Sequence, residues 1–381
     1  MAKAGLAQTV ERLTIRDVEL IPILAPLAQE YRGSYYRMAN RATVVIRIRT
    51  DEGLVGEAYA GDEDETLARI VAVARDEIVP RIVGEDALAV ERCWARAFPV
   101  TFDQLRDRRV ALVALALVDH ALWDLVGKAS ALPLWRLWGG YRERMPVNII
   151  GGYYGRDLGG IRDEVSEWIE MGFRGCKFKI GQLTPEEDAD RVRVVRETAG
   201  PDFVITVDAN QGYPLAAALR VSNLIRELGI RWFEEPCQWR SDRRSLREVR
   251  ARSGIATCAG QSEHSAAGCR DLFELGAVDV CNFDASWSGG CSEWRRMAAV
   301  AHVYEVEVGH HEEPHVALHL LASQPHSTYA EVFHPDRDPL WWNLVMNRPA
   351  LEDGTMRLPD APGFGWELDE SYIDRHRVDR S

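Results

Sequence analysis

The chain has 381 residues, of which 46% are hydrophobic and 28% charged, the balance of a globular protein that buries a core. That length exceeds one typical domain and calls for two domains or one barrel with additions. A net charge of −13 argues against nucleic acid or an anionic membrane as the main partner. The apolar stretch Ile21 to Ala28 is broken by Pro22 and Pro26 and is too short to span a bilayer. Residues 1–20 lack the apolar core of a secretory signal, so export is not expected. The seven cysteines (93, 176, 237, 258, 269, 281 and 291) form no CxxC pair. Most lie in apolar runs, which fits buried thiols in a reducing cytoplasm and argues against a disulfide scaffold.

From Leu13 to Tyr59 the pattern is period-two. Thr43 to Arg49 alternates β-branched and charged residues, and the Asp51-Glu52-Gly53 turn leads into Leu54 to Ala58, which predicts an antiparallel hairpin. From Glu63 to Trp138 the period becomes helical. Ala111 to Leu125 is apolar nearly all round and predicts a buried helix. Beyond Val147 short apolar segments begin near Val147, Cys176, Phe203, Ile230, Ile255, Val278, Val306 and Thr328, at intervals of roughly 22–29 residues that suit a (β/α) barrel. Amphipathic stretches such as Glu186 to Glu197 and Leu215 to Leu228 fill most of the gaps. No convincing eighth helix follows Thr328, and residues 336–381, rich in Pro, Trp and Asp, read as a covering segment.

In such a barrel the chemistry sits at the C-terminal ends of the strands. In Cys176-Lys177-Phe178-Lys179-Ile180 the two lysines share one face, and if the apolar face meets the helices both point into the barrel. The next strands end at Asp208-Ala209-Asn210, at Glu234-Glu235-Pro236, and at Gly260-Gln261-Ser262-Glu263. Carboxylates from consecutive strand ends repel one another without a cation. Oxygen-only donors indicate a hard divalent ion, Mg²⁺. The sixth strand runs Val278 to Asp284 and the seventh ends Gly309-His310-His311, adjacent strand ends from which Asp284 and a histidine can form an acid/base dyad. Glu331 on the eighth strand adds a carboxyl group in an apolar setting, which burial could hold protonated as a hydrogen-bond donor to a substrate oxygen. His311-Glu312-Glu313-Pro314-His315 spells HExxH, but that zinc motif works only on a helix and Pro314 disfavours helical geometry at Glu313.

These motifs, in this order, resemble the enolase superfamily and within it the mandelate racemase group. Ala121-Leu122-Trp123-Asp124-Leu125-Val126-Gly127-Lys128 with Pro133-Leu134-Trp135-Arg136-Leu137-Trp138-Gly139-Gly140 looks like the segment joining that group's cap to its barrel. The resemblance implies an α/β fold: an N-terminal α+β capping domain (1–142), a modified TIM barrel of (β/α)7β form (143–335), and a C-terminal segment returning to the cap (336–381). It implies that Lys179 is one acid/base, with Lys177 supporting it near the substrate carboxylate. Asp208 and Glu234 fall on the first two metal-ligand positions, and Asn210 beside them. Asp284 and His311 form the dyad, followed by Gly289-Gly290, and Glu331 matches the hydrogen-bonding carboxyl group. The third ligand departs from the pattern. Family members usually end the fifth strand in Gly-Glu, whereas Gly260 is followed by Gln261. Register places Gln261 at the ligand position. Glu263, two residues on, would share its face in an extended chain, and its charge favours it.

The parts fit abstraction of a proton α to a carboxylate with Mg²⁺ as cofactor, chemistry for which this superfamily is a standard example. Dehydration of a sugar acid to a 2-keto-3-deoxy acid is the expected reaction of a small-molecule carboxylate substrate. Racemisation or epimerisation of a 2-hydroxy acid is the alternative, and a non-catalytic carboxylate-binding barrel is the reading from another class. The loop Gln29 to Met38, with Tyr36 and Arg37, is expected to close the pocket over a hydroxylated anion. A homo-oligomer is expected.

Overall fold

The computed structural model describes residues 11–61 and 65–378. Glu63, where the helical pattern was expected to begin, lies outside the described residues. The first described helix is Leu67–Val73. The cap is built on a three-stranded antiparallel sheet, β1 (Ile15–Arg32), β2 (Arg37–Thr50) and β3 (Val55–Ala60), in that order. The expected hairpin is the β2–β3 pair, which closes through Gly53 at φ +88°, a left-handed position that glycine occupies without steric cost.

The helix Arg108–Ala129 packs against β2 and β3 on one side and against the barrel helix Cys291–Val303 on the other. Its N-terminus is capped by the Asp107 side chain, which accepts from the Arg109 N–H at 3.0 Å, satisfying one of the orphan donors of the first turn. By length and composition it could cross a membrane, but its strongest apolar window is 89% buried within the fold, so interior packing accounts for its composition. Gly290, at φ +98°, lets the start of helix Cys291–Val303 approach this helix. A Cβ there would come within 2.4 Å of Asp119.

The barrel has eight parallel strands: β4 (Arg144–Gly151), β5 (Gly175–Lys179), β6 (Val204–Asp208), β7 (Ile230–Glu234), β8 (Thr257–Ala259), β9 (Val280–Cys281), β10 (Glu307–Val308) and β11 (Ala330–Phe333). Each pairs with the next as far as β10, and β11 pairs with β4. A parallel bridge from Val308 to Ser327 and the Thr328 N–H donating to the Val308 carbonyl at 2.9 Å close the ring. A helix follows each of the first seven strands, ending with Pro314–Ala322, but β11 is followed only by a short turn at Leu340–Leu344. The fold is therefore the (β/α)7β barrel with an N-terminal α+β cap. The expected sixth strand, Val278 to Asp284, is reduced to two ladder residues, because Asn282, Phe283 and Asp284 leave the ladder at the barrel mouth.

After β11 the chain adds a hairpin, β12 (Leu351–Glu352) and β13 (Thr355–Arg357), whose second strand runs antiparallel to the start of β4. It then returns to the cap. Helix Glu370–His376 is followed by Arg377, which bridges Ile23 of β1, and by the Val378 N–H, which donates to the Pro22 carbonyl at 3.0 Å.

Candidate active site

The alternation of β5 buries Cys176 and Phe178 against the helices and sends Lys177 and Lys179 into the barrel mouth, each 1% exposed. A buried ammonium is costly unless paired, and both are paired. Lys177 Nζ lies 2.8 Å from Glu234 Oε1, 2.8 Å from Glu331 Oε1 and 3.6 Å from Asp208 Oδ2. Lys179 Nζ lies 2.7 Å from Asp208 Oδ2. Burial works to strip the proton from Lys177, but Glu234, Glu331 and Asp208 outweigh it and hold the pKa well above the ordinary lysine value. Lys179 is raised too, with Asp208 overcoming burial.

Asp208 and Glu234 are register partners on β6 and β7. Burial and the Asp208 charge push the Glu234 carboxyl up to about 8, the mark of two carboxylates crowded without enough positive charge. Asn210 supports Asp208 from the following turn, its backbone N–H donating to Oδ1 at 2.8 Å and its amide to Oδ2 at 3.1 Å. Asn282, just past β9, donates from one amide nitrogen to Glu234 Oε1 at 2.8 Å and to Gln261 Oε1 at 3.2 Å. Gln261 therefore stands with Asp208 and Glu234. The side-chain amide oxygens of Asn210 and Asn282 are buried and carry no hydrogen bond. Two carboxylates and a glutamine oxygen form an all-oxygen donor group that suits a hard divalent cation such as Mg²⁺.

Glu263, the favoured third ligand, is not part of this group. Strand β8 ends at Ala259, and residues 260–263 form a turn closed by the Glu263 N–H donating to the Gly260 carbonyl at 3.0 Å. The same-face relation of an extended chain is lost, and the Glu263 side chain meets Arg243, 2.7 Å from each carboxylate oxygen.

On the other side of the ring, His311 Nδ1 lies 2.9 Å from Asp284 Oδ2. Asp284 Oδ1 accepts the backbone N–H groups of Ser286 at 2.8 Å and Trp287 at 3.2 Å. This fixes the carboxylate and directs the Nδ1 proton toward it, leaving Nε2 for chemistry. Burial, together with the Lys177 and Lys179 charges, lowers the His311 pKa well below the usual histidine value. The Trp287 ring lies 4.7 Å from the imidazole and carries the Arg109 guanidinium 4.4 Å above it. His310 faces backbone instead, accepting the Ala285 N–H at 3.1 Å.

Glu331 faces donors within the site instead of offering a free oxygen to a substrate. One oxygen meets Lys177 and the other accepts the Glu312 N–H at 2.8 Å, so both oxygens act as acceptors. The HExxH spelling is not a zinc site. Glu313 (φ +46°) precedes the helix Pro314–Ala322, and His315 stacks on Tyr59 with ring centroids 3.5 Å apart. From the cap, Ser34 Oγ contacts the Ile180 and Ala209 carbonyls, each at 2.8 Å, and the Tyr36 ring lies 5.9 Å from Lys179 Nζ. Arg37 is not brought in. Its side chain is 79% exposed, and its guanidinium lies 4.0 Å from Glu30.

The site also contains residues that the sequence reading passed over. Asn282 lies two residues before Asp284, a spacing that alternation could have flagged. Glu312 falls inside the HExxH spelling, which draws attention to zinc instead, and Ser34 has no motif around it.

Residues 160–372 match the family described as Enolase C-terminal domain-like, and residues 21–139 match the Mandelate racemase / muconate lactonizing enzyme, N-terminal domain. The chain belongs to the mandelate racemase/muconate lactonizing enzyme group of the enolase superfamily. It is 30% identical over 347 residues to arabinonate dehydratase of Saccharolobus solfataricus, covering 88% of this chain and 90% of the relative. It is 30% identical over 371 residues to D-galactarolactone cycloisomerase of Agrobacterium fabrum, covering 91% and 94%. Among solved structures, a mandelate racemase/muconate lactonizing enzyme from a marine actinobacterium in complex with magnesium is 55% identical, with a TM-score of 0.92 over 96% of this chain and 100% of that one.

Proposed function

We propose that this enzyme is a Mg²⁺-dependent acid-sugar dehydratase that removes the proton α to a carboxylate and eliminates the β-hydroxyl, giving a 2-keto-3-deoxy acid. The observation that carries this reading is the placement of two proton-transfer groups on opposite sides of one ring. Lys179 ends β5, and the Asp284-oriented His311 follows β10, with β4 and β11 between them on the shorter path. Asp208, Glu234 and Gln261 would hold Mg²⁺. When bound, the ion supplies positive charge for the substrate carboxylate and for the negative charge that grows there as the α-proton leaves. With the Asp208 charge drawn to the ion instead of to Nζ, Lys179 would give up its own proton and then take the α-proton, while Lys177 steadies the carboxylate end and His311 gives a proton to the departing hydroxyl. Ser34 and Tyr36 keep the cap loop over the barrel mouth and exclude water. The arabinonate dehydratase relative supports the choice of reaction and of a sugar-acid substrate. All seven cysteines are free and buried, which supports a cytoplasmic setting.

Proton NMR in D₂O with Mg²⁺ and a panel of sugar acids and 2-hydroxy acids tests the reading. A 2-keto-3-deoxy product is the expected result. Deuterium entering at the α-carbon with inversion and no keto product would make the enzyme a racemase, and a product isomeric with a lactone substrate would make it a cycloisomerase. Ligand binding that needs no Mg²⁺, with no exchange, would make it a carboxylate-binding barrel.

A further inference from the structure

Glu312 follows the catalytic histidine, and its backbone is turned into the left-handed region at φ +51°, a conformation costly for a residue with a Cβ. The turn is held by its N–H donating to Glu331 Oε2 at 2.8 Å, and it brings the Glu312 carboxyl group back over the imidazole. Oε1 lies 3.3 Å from His311 Nε2, the ring nitrogen that Asp284 leaves for chemistry, and Oε2 lies 4.0 Å from the guanidinium of Arg41 on β2. Neutralising Arg41 does not require Glu312, because Asp338 at 3.1 Å and Glu313 at 3.4 Å are closer. A bare ring nitrogen and a bare carboxylate oxygen this close in a buried site would repel, and one proton between them removes the repulsion.

Building on the assignment of His311 as an acid/base, we propose that Glu312 is a further catalytic residue: its carboxyl group shares a proton with His311 Nε2, and the pair delivers that proton to the departing β-hydroxyl. The Cα–H bond breaks with its proton going to Lys179, and its electron pair forms the Cα=Cβ bond. The Cβ–O bond breaks with its pair on oxygen, and the shared proton turns the leaving hydroxide into water. The resulting enol tautomerises to the ketone. Lys179 then releases its proton to solvent, and the pair takes one up. The charged groups facing the pair are Lys177 and Lys179 from β5, Asp208 from β6, Asp284 after β9, Glu331 from β11 and Arg41 from β2.

The test has two readouts. In the substrate-free, Mg²⁺-loaded enzyme, the ¹⁵N resonance of His311 Nε2, assigned by its loss in His311→Asn, is expected to move toward the position of a bare imidazole nitrogen in Glu312→Gln. An unchanged resonance would overturn the proposal. With a turnover substrate, Glu312→Gln is expected to lose about 100-fold in dehydration while α-deuterium exchange stays within about threefold of wild type. Equal losses in both would mark a merely structural role. Glu312→Asp, the second variant should the first not fold, is expected to lose about tenfold in dehydration with exchange retained. If no panel compound turns over, the dehydratase reading fails while the resonance still decides the role of Glu312.

Discussion

Arg243 grips Glu263 by both carboxylate oxygens, each at 2.7 Å, and so keeps the only carboxylate of the fifth strand end away from Asp208 and Glu234. The metal group is left with two charges and a neutral glutamine oxygen. We expect Gln261→Glu to tighten Mg²⁺ binding by about tenfold or more, since ligand charge sets affinity for hard cations. Glu263→Gln should leave Mg²⁺ affinity within about twofold and cost about 1 kcal/mol of stability through the lost, partly exposed ion pair. Calorimetric titration with Mg²⁺ and thermal denaturation read the two effects. A large loss of affinity in Glu263→Gln would return that residue to the metal.

Lys179 and His311 divide the proton transfers. Lys179→Ala should lose dehydration by at least about 1,000-fold and α-proton exchange with it, because the base is gone. His311→Asn should lose dehydration to a similar degree while still exchanging the α-proton. Product formation and deuterium uptake, followed in the same tube, separate the roles. Full activity in both variants would sink the catalytic pair.

The cap loop should act on substrate retention rather than on chemistry. Ser34→Ala removes the hydroxyl that reaches the Ile180 and Ala209 carbonyls, and KM should rise about three- to tenfold with kcat nearly unchanged, the pattern of lost uniform binding. A fall in kcat at constant KM would contradict this.

Asp119 offers a pH-dependent readout away from the site. Burial pushes its carboxyl up to about 7, against the pull of the Ser292 hydroxyl and N–H. The folded protein therefore binds a proton there over a range in which the unfolded chain, titrating near 3.8, has already released it. Stability from this group is full below about pH 4 and is lost as pH rises toward 7, with a slope of up to about 1.4 kcal/mol per pH unit. Asp119→Asn should flatten that part of the stability profile, measured by urea denaturation at pH 4.5, 6 and 7.5. A wild-type-minus-variant difference that does not change with pH would refute the assignment.

Much of the site is legible from alternation alone. Lys177 and Lys179, and Asp208 and Glu234, follow from strands whose apolar faces are unambiguous, and Asp284 with His311 follows from adjacent strand ends. Alternation fails where the strand has already stopped. Alternation places Glu263 on the face of Gln261 only if the chain stays extended, but the chain turns after Ala259. Arg37 begins β2 where the hairpin edge faces solvent, a fact of packing that its charge does not reveal. Glu312 could not be found by pattern, because its position depends on a left-handed backbone at a non-glycine residue, which only the surrounding contacts determine.

The return of the chain to the cap has a consequence for biosynthesis. The Ile23–Arg377 bridge and the Val378–Pro22 hydrogen bond join the beginning of the cap sheet to residues that leave the ribosome after the whole barrel has been made. A nascent chain can assemble β1, β2 and β3 early, and residues 84–86 cover the start of β1, but its outer edge around Pro22 and Ile23 stays unpaired until Arg377 and Val378 emerge. An uncovered strand edge invites pairing with another chain. Ribosomes stalled late in translation would therefore carry a nearly complete barrel beneath a cap whose sheet edge still has unpaired backbone groups.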